Sequence, residues 1–380
     1  MPLALSRFRM LDLSRQLPGP YCSMLLADLG MDVVSVCAPA DPMGIGIPPL
    51  ARNKRSLTLN LKAPEGRAIF HRLAKDADVV LEGSRPGAAA RLGVDWETLR
   101  ELNPRIIYCS ISGYGQDGPY RDRVGHDVNY LGFAGVIGLT GPAGGPPAIP
   151  GVQVADIGGG SLTAAVGILA ALLAREETGA GQFVDIAMMD GVVAWQVINA
   201  LRYFVDGAEP ARGDTYLTGH HPCYALYETK DGRHVTVGAL EPHFWRTLCE
   251  RLGHPELAAK QFAEGAEREE MFRVLRARFR ERTMAEWVAE LADLDVCFGP
   301  VAKLSEALAD PQVRHRRMVI EMPDERGVAR RTLGNPVKLS ATPPAFRTPP
   351  ATLGQHTDEI LASLGYSPAD VAGLRARGVV

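Results

Sequence analysis

FRMLDLSRQLPGPYCSMLLADLGMDVVSV, residues 8–36, decides the fold of this chain. Phe8 to Ser14 is a short apolar segment that reads as a first strand. Pro18-Gly-Pro20 then opens a helix, CSMLLADL, that stops at Gly30, with proline at its start and glycine at its end. Asp32 to Val36 follows as a strand of the buried type. Strand, helix and strand in so short a span make the unit from which parallel sheets are built.

The same pattern continues outward. Beyond a Pro/Gly-rich loop that runs through Pro49, Ser56 to Asn60 alternates as a strand should. Ala63 to Lys75 is an amphipathic helix, Asp78 to Leu81 a strand, and Arg85 to Leu102 helical in two pieces. Arg105 to Ser110 and Gln182 to Asp185 read as further strands, the latter followed by a helix from about Ile186 to Phe204. This alternation argues an α/β fold, a doubly wound parallel sheet with helices on both faces. Ligands of such sheets sit outside the carboxyl ends of the strands.

Composition changes near Asp206. A loop-like linker over 206–224 leads to a hairpin, Cys223–Thr229 and His234–Ala239 around Lys230-Asp231-Gly232. Helices run from Glu241 to Leu308, the chain turns Pro-rich from Val319, and Gly354 to Leu364 forms a last helix. We expect a large domain over 1–205, completed by 325–380, and a smaller mixed α/β domain over 225–324.

A length of 380 residues suits two domains. With 46% hydrophobic and 22% charged residues the composition is globular, and a net charge of −3 offers no basic field for nucleic acid. The N-terminus lacks the apolar core of a signal peptide. No run reaches the roughly 18 apolar residues that span a bilayer; Leu162 to Ala174 is shorter and rich in Ala and Gly, as in a buried helix. Six scattered cysteines without CxxC or metal-ligand spacing read as reduced core residues, and the expected compartment is the cytoplasm.

The chemistry concentrates between Gly125 and Glu177. His126 and Asp156 each follow a strand and loop, and Asp156 precedes Gly158, Gly159 and Gly160, which let backbone approach a ligand closely. Inverting a carbon next to a carbonyl takes two acid–base groups on opposite sides of an enolate, in opposite protonation states. Imidazole suits this near neutral pH, and a carboxylate matches it when its surroundings shift its proton affinity. Asp127 and Asn129 are helix-capping residues that put His126 at the mouth of a helix, where amide N–H groups stabilise a negative oxygen. The competing reading is a structural His–Asp pair and an Asp that merely caps. Glu241 is either a partner that favours the imidazolium of His126 or a charge at a helix start.

Arg52, Lys54, Arg55, Lys62, Arg85 and Arg91 fall near expected strand ends and are placed to hold phosphates, or else form a solvated face. There is no GxxxxGK[ST] loop and no GxGxxG between strand and helix, so the usual ATP and NAD modes are not supported. The adjacent His220 and His221 lack a third ligand in sequence, and no metal is expected.

Beyond these readings, the chain resembles the family III CoA-transferases, and within them the α-methylacyl-CoA racemases. The resemblance runs over nearly the whole length: LPGPYCSMLLADLGMDVVSV, SLTLNLKAPEG, EGSRPGAAARLGV, ISGYGQDGPYRDRVGHDVNY, VQVADIGGG, EPHFW, LGNPVKLSATPP and LGQHTDEIL. GHDVNY is its most specific piece and has the racemase form. The resemblance implies a Rossmann-like large domain that binds CoA, a small domain, and a homodimer of two interlocked chains. It implies His126 and Asp156 as the two bases acting on 2-methylacyl-CoA thioesters, with a partner chain's Glu241 supporting His126. It implies CoA contacts from Leu59, Asn60, Leu61, Lys62, Gly83, Ser84, Arg85, Arg91, Gly125, Asp127, Val128, Asn129 and Tyr130. No cofactor is implied, since CoA is part of the substrate.

The chain departs from the family at two places. Cys37-Ala38-Pro39 stands where relatives have an Arg before Pro; either Arg52 or Arg55 compensates for that loss or the CoA contacts differ here. Gly219-His220-His221-Pro222-Cys223-Tyr224 replaces a smaller, less polar stretch. The alternative activity is transfer of CoA between carboxylic acids through an acyl anhydride on Asp156.

Overall fold

The computed structural model describes residues 2–41, 46–324 and 326–380. Residues 42–45 of the Pro/Gly-rich loop expected before Pro49 lie outside them. The chain divides into two compact units, Met1–Gly135 with Pro150–Trp195 and Arg314–Val380, and Val136–Ile149 with Gln196–Val313.

Six strands organise the first unit: β1 (Arg9–Asp12), β2 (Asp32–Cys37), β3 (Lys54–Thr58), β4 (Val79–Glu82), β5 (Ile107–Ser112) and β6 (Phe183–Ala187). They lie in the order β3-β2-β1-β4-β5-β6, every neighbouring pair parallel, with Leu11 opposite Val34 on one side and Val80 on the other. This is the α/β, doubly wound sheet expected from the alternation. The inner segments of β2 and β4 are apolar runs because helices cover both faces; Val33, Val34, Val79, Val80 and Leu81 are all buried.

β3 begins at Lys54, two residues before the alternation of SLTLN. The reason is an internal partner set: the Lys54 ammonium donates to Ser23 Oγ (2.6 Å) and the Pro20 carbonyl (3.0 Å), 3.4 Å from Asp12 Oδ2. β3 is an edge strand, and the C-terminal segment covers its edge. Ser56 N–H donates to His356 Nδ1 (3.0 Å), His356 N–H to the Ser56 carbonyl (2.9 Å), and Thr58 N–H to Thr357 Oγ1 (3.0 Å). Helices Thr357–Ser363 and Pro368–Ala376 then add Ile360, Leu361, Val371 and Leu374 to a core with Leu57, Phe70 and Tyr108. The Pro-rich stretch also contains an antiparallel hairpin, Val319–Pro323 with Ala329–Leu333.

Val154–Leu162 is wound as a wide π-helix that passes directly into the α-helix Thr163–Thr178. Together they make 25 residues whose most apolar 18-residue window has a mean hydropathy of 1.9, long and apolar enough by length and composition to cross a membrane. This corrects the shorter Leu162–Ala174 run, because the glycines after Asp156 belong to the helix instead of preceding it. Ala164, Ile168, Ala171 and Leu172 are buried, while Leu162, Val166 and Leu173 are exposed. Past β6 the single expected helix is broken at Trp195-Gln196 into Met188–Ala194 and Val197–Asp206.

In the second unit Tyr224–Glu228, His234–Gly238 and Phe298–Pro300 form an antiparallel sheet. Trp245, Trp287, Phe279 and Tyr227 fill its core. The stretch read as a linker, 206–224, lies inside this unit, which begins at Gln196 and takes in Val136–Ile149. Arg212 makes that connection by donating to the Gly138 (2.9 Å) and Gly145 (2.5 Å) carbonyls. The unit ends at Val313, not 324, since the later hairpin is tied to the first unit by the Arg52 guanidinium on the Leu333 carbonyl (2.7 Å). All six cysteines are free; five are buried and Cys297 is exposed, so it is not a core residue.

Candidate active site

The carboxyl ends of β1, β4 and β5 open into a cavity of about 830 Å³. The turn after β1 gives Leu13, Arg15 and Gln16 to its wall, and the turn after β4 gives Gly83, Ser84 and Arg85. The loop after β5 adds Tyr114, Arg121, Arg123, Gly125, His126, Asn129 and Tyr130. A smaller cavity of about 170 Å³ lies beside the ends of β2 and β3, lined by Val36, Ala38, Leu59, Asn60, Leu61 and Lys62 among others. Leu13, Arg15 and Ser84 line both.

His126 is the N-cap of the helix Asp127–Phe133, and its N–H donates to Asn129 Oδ1 (3.0 Å). Asp127 does something the capping pattern did not suggest. Its Oδ1 accepts the amide hydrogens of Ala155 (2.8 Å) and Asp156 (2.9 Å), at the start of the π-helical turn. One carboxylate therefore ties together the two segments that carry His126 and Asp156.

Asp156 is not in the lining of the large cavity, yet its carboxyl is close enough to feel both neighbours. Burial, then the negative charge of Asp127, raise its pKa to about 6, against the lowering pull of His126. A carboxyl so placed exchanges protons near neutral pH, which general acid–base chemistry requires. Its backbone is pinned as well. Ser161 Oγ stands 2.6 Å from the Pro18 carbonyl and 3.0 Å from the Asp156 carbonyl, joining this turn to the one after β1.

The three glycines serve a different neighbour from the ligand expected of them. A Cβ on Gly158 would lie 1.8 Å from Trp195 Cη2, one on Gly159 2.4 Å from the Met188 carbonyl oxygen, and one on Gly160 2.9 Å from Met188 Cγ. The close approach is to the helix after β6, and it holds the Asp156 turn against Met188–Ala194. Gly125 is similarly constrained: a Cβ there would meet Tyr130 Cε1 at 2.8 Å, and its carbonyl accepts from the Tyr130 hydroxyl (2.5 Å).

The expected basic residues separate sharply. Arg52 is 2% exposed, with Nε and Nη2 on Asp28 (3.0 and 2.7 Å), so it is an internal strut and not a phosphate ligand. Lys54 is likewise turned inward. Arg55, near the amino-terminal end of β3, forks onto Asp32 (2.8 and 3.0 Å). Neither arginine replaces a cation after β2, because both are committed to carboxylates away from the carboxyl ends of the strands. Arg91 and Val128 line neither cavity. Arg15, Arg121, Arg123 and Met188 do line the large one and were not singled out, although YRDRVGH places two arginines within five residues of His126.

With this geometry in place, the chain can be compared with known proteins. It matches CoA-transferase family III over residues 5–357. The chain belongs to that family. It is 36% identical to the human alpha-methylacyl-CoA racemase over 100% of this chain and 98% of that protein. It is 34% identical to the human succinyl-CoA:glutarate CoA-transferase over 98% and 89%. The crystal structure of a CaiB/BaiF family protein from Brucella suis superposes with a TM-score of 0.81 at 31% identity, covering 96% of this chain and 100% of that one.

In the second unit of this CoA-transferase family member, Glu241 is the exposed N-cap of the helix Pro242–Leu252. His220 and His221 there gain the third donor that the sequence did not supply, Glu264. His220 of this cluster is already engaged. His220 bonds Asp214 (2.9 Å) and Glu264 (3.0 Å), and the Arg268 guanidinium stands 2.7 Å from His220 Nδ1, where it opposes a further cation.

Proposed function

We propose that this protein is a racemase of 2-methylacyl-CoA thioesters, in which His126 and Asp156 move a proton across the two faces of an enolate. One group takes the α-proton while the other, already protonated, returns a proton to the opposite face. The observation that carries this reading is the Asp127 bridge, which fixes an imidazole-bearing helix to a carboxyl whose pKa is about 6. In this reading the amides of Asp127 and Val128, which follow His126, supply N–H donors to the enolate oxygen. Leu59 to Lys62 and Gly83 to Arg85, at the strand ends, hold the CoA portion.

A second copy of the chain fits the same reading. Val166 and Leu173 in the first unit, and separately Val197, Leu201, Phe204 and Val205 in the second, expose large apolar side chains. We assign these side chains, each set within its own unit, to homodimer contacts and Glu241 to support of the partner's imidazole. No separate cofactor takes part, and the cytoplasm is the proposed location.

Incubating one epimer in deuterated water tests the activity: α-deuterium enters and both epimers appear. His126→Ala lowers that exchange by on the order of a hundredfold or more; exchange at the wild-type rate would reject the proposal. The second reading, CoA transfer through an anhydride on Asp156, has in its favour a transferase relative almost as similar as the racemase. It predicts an acyl adduct on Asp156, trapped by hydroxylamine, without α-proton exchange.

A further inference from the structure

The large cavity has an uneven charge. Among the described residues four arginines, Arg15, Arg85, Arg121 and Arg123, line it, and no Asp or Glu does. Two of the four have carboxylates beside them, Arg15 with Asp41 (2.8 Å) and Arg121 with Asp122 (3.1 Å). Among the described residues Arg123 forms no such pair. Its guanidinium instead lies over two aromatic rings, 4.6 Å from the centre of Tyr120 and 4.9 Å from that of Phe133.

A cation resting on ring faces is held in place by the ring quadrupoles while the N–H groups along its edge remain available. A planar fork of free donors in a positively charged cleft matches a phosphate. Arg123 lies three positions before His126, at most about 10 Å of chain, and the arginine stem adds to that reach. Arg123 and His126 line the same cavity.

We infer that Arg123 is a substrate-binding residue that holds a phosphate of the CoA tail, pre-oriented on Tyr120 and Phe133. The inference rests on the acyl-CoA reading above and adds a contact that the sequence did not reveal.

Calorimetric titration of the full chain with CoA and with pantetheine, which lacks the phosphates, separates the possibilities without needing turnover. Arg123→Ala weakens CoA binding about tenfold, equivalent to about 1.4 kcal/mol, and leaves pantetheine binding unchanged. Arg123→Lys recovers part of the loss, since it keeps the charge but not the fork. The salt dependence of CoA affinity is shallower in Arg123→Ala. Wild-type affinity for CoA in Arg123→Ala, equal loss of CoA and pantetheine, or a wild-type protein that does not bind CoA would each overturn the assignment. α-Proton exchange is read separately on acyl-CoA and acyl-pantetheine. Its absence from the wild type with both rejects the racemase while the titration still decides on Arg123.

Discussion

Oδ1 of Asp127 lies 2.9 Å from the amide nitrogen of Asp156, so the residue beside one proposed base holds the backbone of the other. The same oxygen takes the amide of Ala155, and the charge behind it is the second cause, after burial, of the raised Asp156 pKa. One side chain thereby holds the position of Asp156 and adds to the effect of burial on its proton affinity.

Asp127→Asn separates those two effects. An amide oxygen still accepts the two N–H groups, but the negative charge is gone, so the Asp156 pKa falls from about 6. The acid limb of the pH–rate profile for α-proton exchange moves to lower pH. The proposed pair carries one proton in either direction of racemisation, so both directions shift together. Asp127→Ala removes the acceptor too and lowers the rate at least tenfold across the profile. An unmoved acid limb in Asp127→Asn would show that Asp127 does not tune Asp156.

Gly159→Ala tests the packing under the Asp156 turn. Its Cβ would lie 2.4 Å from the Met188 carbonyl oxygen, and the two backbones already touch, since a Cβ on Gly191 would be 2.5 Å from Gly159 Cα. Backbone on both sides leaves nothing flexible to yield. We expect a loss of about 1–3 kcal/mol in urea unfolding, together with reduced exchange activity. Unchanged stability would mean that the helix after β6 moves freely.

Lys54→Met removes one partner of an almost fully buried pair. Asp12 would remain at 2% exposure with only hydroxyl and amide donors for its charge. Removing one member of such a pair costs about 3–5 kcal/mol. A double replacement, Lys54→Met with Asp12→Leu, costs less than the sum of the two single changes, which a double-mutant cycle measures.

The C-terminal cover of β3 responds to acid. His356 Nδ1 accepts the Ser56 N–H, and burial lowers the His356 pKa below the ordinary 6.5. In the unfolded chain the ring binds a proton at a higher pH than in the folded one. The stability this contact gives is therefore complete above pH 6.5 and falls as pH drops through the window below it. Hydrogen exchange at the Ser56 amide accelerates over that window, and in His356→Phe the acceleration disappears.

How much was legible can be judged residue by residue. The strand–helix–strand units were readable because their hydrophobic periods are local, and β1, β2 and β4 fall close to where the residues put them. β3 was placed late because Lys54 and Arg55 look like loop residues until their carboxylates are seen. The glycines after Asp156 stand out in the sequence, but their reason does not, since Met188 and Trp195 are about thirty to forty residues further along. His126 and Asp156 were legible as residue types suited to proton transfer. Arg123 was not, because an arginine in a polar loop is ordinary until two rings are found beneath it.

The order of apolar and turn-forming residues was enough to determine a parallel α/β sheet and a chemistry-bearing segment from Gly125 to Glu177, because those signals act between neighbours in the chain. Tertiary structure alone decided which charges are spent internally, as with Arg52 and Lys54, and which face the cavity. It alone linked Asp127 to Asp156. Electrostatic roles depend on distance through space and on burial, and neither is written in the spacing of residues along a chain.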